Sequence, residues 1–161
     1  MYGHLPIRVI GMGSPHGDDQ VGWRAVVRLR DSMAFQESYG DQVELSTCRT
    51  PLDGFLDDAK VSRAVIVLDA VVSGSRPGTV MRIEEELLSS IRSPYSSHGY
   101  NVSQMVELGR AMDVLPEHLV VIGVEVTACE PNAVMGEQLQ RVLERMEELV
   151  REELEFLAMV E

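Results

Sequence analysis

The chain has 161 residues, and its 26 acidic residues outnumber the 14 basic ones, which gives a formal net charge of −12. This length favours a single domain, which we expect to span residues 1–161, because single cores typically occupy ~100–200 residues. Nucleic acid and anionic membranes are poor partners for so acidic a chain, and no apolar run approaches the ~18 residues that a membrane-spanning helix needs.

Hydrophobic patterning predicts strands that alternate with helices. In chain order, we expect a strand over 7–12, a helix with Val21, Ala25, Val26 and Leu29 on one stripe, a strand over 42–48, a short helix with Leu52, Phe55, Leu56 and Ala59, strands over 64–72 and 79–83, a helix over 101–112, a strand over 119–126 and a helix over 134–159. This alternation predicts a three-layer α/β/α sandwich with a mostly parallel sheet, in which functional groups gather at the carboxyl ends of the strands.

Two strands carry additional information. The stretch over 64–72, AVIVLDAVV, is apolar and β-branched almost throughout, which is typical of a central strand covered on both faces. The link over 73–78 is too short to hold a crossover helix. We therefore expect the strand over 79–83 to pair antiparallel in an otherwise parallel sheet.

Two helices show clear patterns as well. Asn101 with Gln104 resembles a capping box that opens the helix over 101–112. The C-terminal helix is amphipathic, and its near-heptad spacing fits either a partner helix or, as we favour, one core-facing stripe. Its inner face holds Leu139, Val142, Leu143, Met146, Leu149, Val150, Leu154 and Leu157; its outer face holds Glu144, Arg145, Glu148, Arg151 and Glu152.

Cysteine usage and the N-terminal residues bear on the compartment. Cys48 and Cys129 lie far apart and match neither Cys-x-x-Cys nor zinc-ribbon spacing, so no disulfide framework is predicted and a reducing compartment fits best. Residues 1–6 lack the basic region and long apolar stretch of a signal peptide. We therefore expect a cytoplasmic protein.

A glycine-rich loop, GMGSPHGDD over 11–19, joins the first strand to the first helix, where a dinucleotide-binding loop would lie. His16 occupies the position of the third glycine, and Asp18 and Asp19 would repel a pyrophosphate at the helix N-terminus. Nucleotide binding is therefore disfavoured. Helix capping explains one aspartate but not two. A metal-ligand loop, with glycines that permit a tight turn, remains the other interpretation.

Asp69 and His98 complete a candidate site. A carboxylate inside the apolar strand over 64–72 would be costly without a partner, but at the strand end Asp69 can enter the crevice beside the glycine loop. Each residue alone also fits a structural role, since Asp69 can bond loop amides and His98 can be solvated. Together with a loop acid they form an O,O,N set suited to a divalent transition metal. Without the metal, the two acids should repel and one pKa should rise.

Three segments resemble the hydrogenase maturation protease family: GMGSPHGDDQVG over 11–22, VLDA over 67–70 followed by Pro77-Gly78, and SHG over 97–99. The resemblance implies an endopeptidase, aspartic-type by family convention. Its members remove a short C-terminal extension from the precursor of the nickel-iron hydrogenase large subunit after nickel insertion. The precursor's nickel is thought to be the recognition element, so the implied metal comes with the substrate.

The same resemblance implies the site and the fold. The metal-contacting residues of the family fall on Asp19, Asp69 and His98, with Asp19 and Asp69 as catalytic residues. The loop ligand could be Asp18 or Asp19; we favour Asp19, because Gly22 then keeps its family offset from the ligand. The supporting loop positions are Gly11, Gly13, Asp18 and Gly22. The implied fold is a twisted five-stranded sheet flanked by helices, of the phosphorylase/hydrolase-like kind. Ser14 stands where Asn is usual, Asp19 replaces Glu, and His16 is an additional histidine without an assigned role.

Several alternatives remain open at this point. The water could be activated by the metal, or Asp19 or Asp69 could act as general base. Cys129 could act as a nucleophile near His98, although a free cysteine is far more often a small buried hydrophobic residue. A non-catalytic chaperone that checks for nickel would use the same three ligands. A dinucleotide-binding domain is the remaining rival.

Overall fold

Five strands form one mixed sheet in the computed structural model of the chain, which describes residues 5–49, 54–92, 101–127, 132, 134 and 136–160. They are β1 (Ile7–Met12), β2 (Val43–Cys48), β3 (Ala64–Val71), β4 (Val80–Glu84) and β5 (His118–Glu125). Their order in the sheet is β2-β1-β3-β5-β4. All neighbouring strands are parallel except β4, which is antiparallel to β5.

Helices cover both faces of this sheet. They are α1 (Val21–Asp31), α2 (Met33–Tyr39), α3 (Phe55–Lys60), α4 (Val102–Ala111) and α5 (Leu139–Met159), with short 3-10 helices at Gly17–Gln20 and Glu85–Ser90. Helices α1, α2 and α5 contribute to the core on one face, and α3 and α4 to the core on the other. The predicted three-layer α/β/α fold is therefore confirmed. Among the described residues, no helix is both long enough and apolar enough to cross a membrane.

Strand β3 lies at the centre of the sheet, between β1 and β5, and all eight of its residues are buried. Its side chains alternate between the faces, because successive strand residues point in opposite directions. Leu68 and Ala70 join the core under α1 and α5, whereas Val67 and Val71 join the core under α3 and α4. Asp69 therefore belongs to the α3 and α4 face, and the prediction of a central strand covered on both faces is confirmed.

Strand β4 is antiparallel, as the short link over 73–78 predicts, but its partner is β5 rather than the preceding strand β3. The link therefore crosses the end of β5. The buried carboxylate of Glu125 holds it there by accepting hydrogen bonds from the backbone N–H groups of Ser73 (2.9 Å) and Gly74 (3.0 Å).

The C-terminal helix begins at Leu139, so the predicted start at residue 134 is wrong. The N–H of Val134 donates to a side chain of the glycine loop instead of forming a helical bond, and Gly136 lowers helix propensity just before the observed start. All eight residues predicted for the inner face are buried. Glu153 is buried among them as well, in an ion pair with Arg82 (2.6 Å) and a hydrogen bond with His118 (2.6 Å).

Two short helices follow from local hydrogen bonds rather than from periodicity, and sequence analysis missed them. Ser32 has extended backbone that ends α1, and its hydroxyl accepts the N–H of Phe35 to open α2. The 3-10 helix Glu85–Ser90 follows β4 directly and buries only Leu88. In contrast, the capping box of Asn101 and Gln104 is present as predicted.

Candidate functional site

The first turn of α1 packs directly on the ends of two strands, and glycines make this close approach possible. A Cβ atom on Gly22 would collide with the carbonyl oxygens of Leu68 and Met12. A Cβ on Gly11 would lie 2.5 Å from the carbonyl oxygen of Gly22 and 2.8 Å from Cγ2 of Val26. Because Leu68 immediately precedes Asp69, the contact at Gly22 brings the glycine loop against the end of β3.

Backbone hydrogen bonds close the glycine loop and tie it to β2. The N–H of Gly13 donates to the carbonyl of Cys48 in β2 (3.1 Å), the N–H of Ser14 to that of Asp19 (3.3 Å), and the N–H of Asp19 to that of His16 (3.1 Å). A Cβ on Gly13 would collide with the carbonyl oxygen of Asp19. Three amides of the loop are therefore engaged within the protein rather than open to phosphates, which agrees with the sequence-based argument against a nucleotide.

Asp19 and Asp69 are brought together although 50 positions separate them in the chain. Each is 8 % exposed. Burial, together with the charge of Asp19, raises the pKa of Asp69 from 3.8 to about 8, against a hydrogen bond from the N–H of Ala70 (2.8 Å). Burial also raises the pKa of Asp19, while a hydrogen bond with Ser14 and the charge of His16 oppose the rise. The shift of Asp69 agrees with the sequence-based expectation that repulsion between the two acids raises one pKa, whereas the raised pKa of Asp19 comes from burial.

Asp18 points elsewhere, although it precedes Asp19 directly. Its side chain is fully buried and accepts the N–H of Val134 at both carboxylate oxygens, at 3.0 and 3.1 Å. The two neighbouring aspartates therefore have different surroundings: Asp18 is bonded to the segment that follows β5, and Asp19 lies beside Asp69. This geometry supports Asp19 over Asp18 as the candidate site acid.

The proposed third ligand, His98, lies outside the described residues, as does Cys129. In the parts of the chain that the structure does describe, no three His, Cys, Asp or Glu side chains group together as metal ligands would. His16, whose charge acts on Asp19, therefore does not complete a three-ligand set. The sequence did not predict that His16 and Ser14 act on Asp19. The only indication was that both residues belong to the same glycine loop as Asp19.

A small cavity of about 20 Å³ adjoins Asp69 on the α4 side of the sheet. Its polar lining comes from Arg92, Asn101 and Ser103. This volume is sufficient for one water molecule, which needs roughly 10–15 Å³ and a few polar partners. Asp69 thus has an adjacent space in which a water can be bound.

Comparison with known proteins identifies the family. The family model described as "Hydrogenase maturation protease" (HycI) matches residues 24–153, which include Asp69 and His98 and begin just after the glycine loop. No curated protein matches the sequence.

Solved structures share the fold. A [NiFe] hydrogenase maturation protease HycI from Thermococcus kodakarensis KOD1 is 21% identical, with a TM-score of 0.63 over 94% of this chain and 93% of that chain. The hydrogenase maturating endopeptidase HybD from Escherichia coli is 22% identical, with a TM-score of 0.63 over 92% and 94%. An Escherichia coli endopeptidase solved in solution is 23% identical, with a TM-score of 0.68 over 92% and 94%.

Proposed function

The chain belongs to the hydrogenase maturation protease family, and we propose that it is a cytoplasmic endopeptidase that removes the C-terminal extension of a nickel-iron hydrogenase large-subunit precursor. The observation that supports this proposal best is that Asp19 and Asp69 are both buried and that the charge of Asp19 raises the pKa of Asp69. Two acids with raised pKa values in one site are typical of acid–base catalysis.

The pair can divide the proton transfers of peptide hydrolysis. Asp69, with a pKa of about 8, holds a proton at neutral pH. Asp19 ionises more readily, because Ser14 and His16 favour its charged form. We assign Asp19 as the base that takes a proton from water as the water oxygen attacks the scissile carbonyl carbon. The proton of Asp69 then passes to the leaving nitrogen as the C–N bond breaks.

Nickel enters this proposal as part of the substrate. Two carboxylate oxygens nearly neutralise a divalent ion, and an imidazole nitrogen from His98 would complete a donor set that nickel accepts. The pair fits this purpose, because burial disfavours two adjacent charges unless a cation accompanies them. In a variant of the mechanism, Asp19 and Asp69 would both be ionised beside the substrate's nickel, which would supply the activation of the water in place of proton removal by Asp19.

The intact mass of the precursor tests the function. Nickel-loaded and nickel-free precursor are each incubated with wild type and with Asp69→Asn. We expect wild type to shorten only the nickel-loaded precursor, by the mass of its extension. Asp69→Asn should cleave it at least about 100-fold more slowly. A chaperone would bind the precursor and leave its mass unchanged. Equal cleavage of both precursors would remove nickel recognition from the proposal.

The same assay separates the two histidines. His98→Ala should abolish the preference for nickel-loaded precursor, whereas His16→Ala should retain it, because His16 joins no ligand group among the described residues. The opposite result would assign nickel contact to the glycine loop.

A further inference from the structure

Asp18 is a buried acid that the proposed reaction does not use. Its carboxylate is fully inaccessible to solvent and binds the N–H of Val134, which lies 116 positions away in the segment between β5 and α5. We propose that Asp18 is a positioning residue, which anchors the 3-10 helix Gly17–Gln20 to this segment so that Asp19 faces Asp69. The inference rests on the proposed function of Asp19 and Asp69.

The shape of the 3-10 helix explains why one anchor is sufficient to orient the next side chain. A 3-10 helix has three residues per turn, so neighbouring side chains point about 120° apart. When the Asp18 side chain is held in the core, the direction of the Asp19 side chain follows. The helix is only four residues long and leads directly into α1, so the fixed Asp18 side chain and the first turn of α1 together set its rotation about its own axis.

This short helix has little other support at its start. The residue before it, His16, provides no side-chain cap. The backbone bonds that retain Asp19 run to His16 and Ser14, and both lie in the same loop. Asp18 links the turn to a distant element instead, since Val134 is itself fully buried in the core under α1 and α5.

The energetics favour a positioning purpose. An acid that only capped a helix could remain at the surface, where its charge stays hydrated. Placing the carboxylate of Asp18 in the core has a desolvation cost, which hydrogen bonds must offset. Both of its oxygens accept the same N–H, at 3.0 and 3.1 Å, which restricts the side chain to one orientation.

Glu153 offers a matched control. It is also a buried acid held by partners from distant elements, Arg82 and His118. However, its partner His118 is the first residue of β5, so this cluster lies at the amino end of the parallel strands, opposite to Asp69.

The experiment compares Asp18→Ala, Asp18→Asn and Glu153→Ala in precursor cleavage. We expect both alanine variants to lose stability. Only Asp18→Ala should lose kcat, by roughly 10- to 100-fold as expected for a displaced catalytic group, with little change in KM. Asp18→Asn retains an acceptor oxygen for Val134 and should recover most of kcat.

Crystal structures provide a readout that does not depend on cleavage. In Asp18→Ala the carboxylates of Asp19 and Asp69 should lie farther apart than in wild type, and in Glu153→Ala they should not. An unchanged separation in Asp18→Ala, or a kcat equal to that of wild type for the folded enzyme, would overturn the positioning role. Failure of wild type to cleave the precursor would instead count against the proposed function, and the crystal structures would still decide the role of Asp18. If Asp18→Ala does not fold, Asp18→Leu takes its place, because Leu suits the core but cannot accept the N–H of Val134; the same displacement is expected, and an unchanged separation would again overturn the role.

Discussion

Asp69 interrupts a strand whose other seven residues are apolar, and its carboxylate accepts a hydrogen bond from the N–H of the next residue, Ala70. Burial and the nearby charge of Asp19 raise its pKa to about 8. The folded protein therefore carries a proton that the unfolded chain would release. Such a cost is characteristic of functional sites, where side chains are retained for chemistry rather than for stability.

Replacement of Asp69 by Asn should therefore stabilise the fold while it impairs cleavage. The unfolded chain loses the Asp69 proton near pH 3.8 and the folded protein only near pH 8, so the free energy of unfolding of wild type falls as the pH rises between these values. Asn does not titrate and can accept the same bond from Ala70. We expect Asp69→Asn to be more stable at pH 8 by roughly 1–3 kcal/mol.

Denaturant unfolding of wild type and Asp69→Asn at pH 4 and pH 8 measures this difference. The advantage of the variant should be small at pH 4 and should grow toward pH 8. An advantage that stays constant with pH, or a less stable variant at pH 8, would show that Asp69 does not bear this cost.

The sequence predicts which residues carry the chemistry of the site better than it predicts where their side chains point. An acid in an apolar strand is visible in the sequence because burial of a charge needs a reason. Asp18 and Asp19 are identical neighbours in the sequence, so only their separation from Gly22 distinguished the candidate ligand. Their different surroundings depend on Val134, whose approach no local pattern encodes. The position of His98 stays a prediction.

Gly22 sets how closely the first turn of α1 approaches the sheet. Its backbone lies against the carbonyl groups of Leu68 in β3 and of Met12 at the end of β1. A larger residue would push the first turn of α1 away from the sheet. Asp19 lies three residues before Gly22, so it would move with that turn.

We expect Gly22→Ala to lower the free energy of unfolding by roughly 1–3 kcal/mol, the usual cost of overpacking, and to slow precursor cleavage. Gly136→Ala is the matched control, because a Cβ there meets no atom within 4 Å, and its effect on stability should stay within roughly 0.5 kcal/mol. Thermal unfolding and single-turnover cleavage measure both effects. Equal behaviour of the two variants would mean that the packing of α1 at Gly22 does not support the site.

Elements with strong periodicity were predictable, and those defined by a few hydrogen bonds were not. The apolar run of β3 and the stripe of α5 reflect burial, which the sequence expresses residue by residue. The start of α2 depends on the hydroxyl of Ser32, and the partner of β4 depends on the insertion of β5 beside β3. These outcomes arise from tertiary contacts, which a single sequence reveals weakly.

The topology explains why the acids meet between β1 and β3. Strand β1 has β2 on one side and β3 on the other. The chain that leaves β1 runs through α1 toward β2, whereas the chain that leaves β3 runs past β5 to β4. These two connections diverge from neighbouring strand ends and leave a crevice at the carboxyl ends of β1 and β3, where ligands of open α/β sheets bind. The glycine loop and Asp69 lie at this crevice.

The proposed mechanism of cleavage depends on Asp19 and Asp69 acting as one catalytic unit. A double-mutant cycle in single-turnover cleavage of nickel-loaded precursor measures this, with Asp19→Asn, Asp69→Asn and the double variant. Each single change should slow cleavage by roughly 10²–10⁴-fold, and the double variant should be no slower than the slower single variant, because groups that act together are lost together. A double variant whose loss equals the product of the two single losses, or a single variant that cleaves at the wild-type rate, would contradict it.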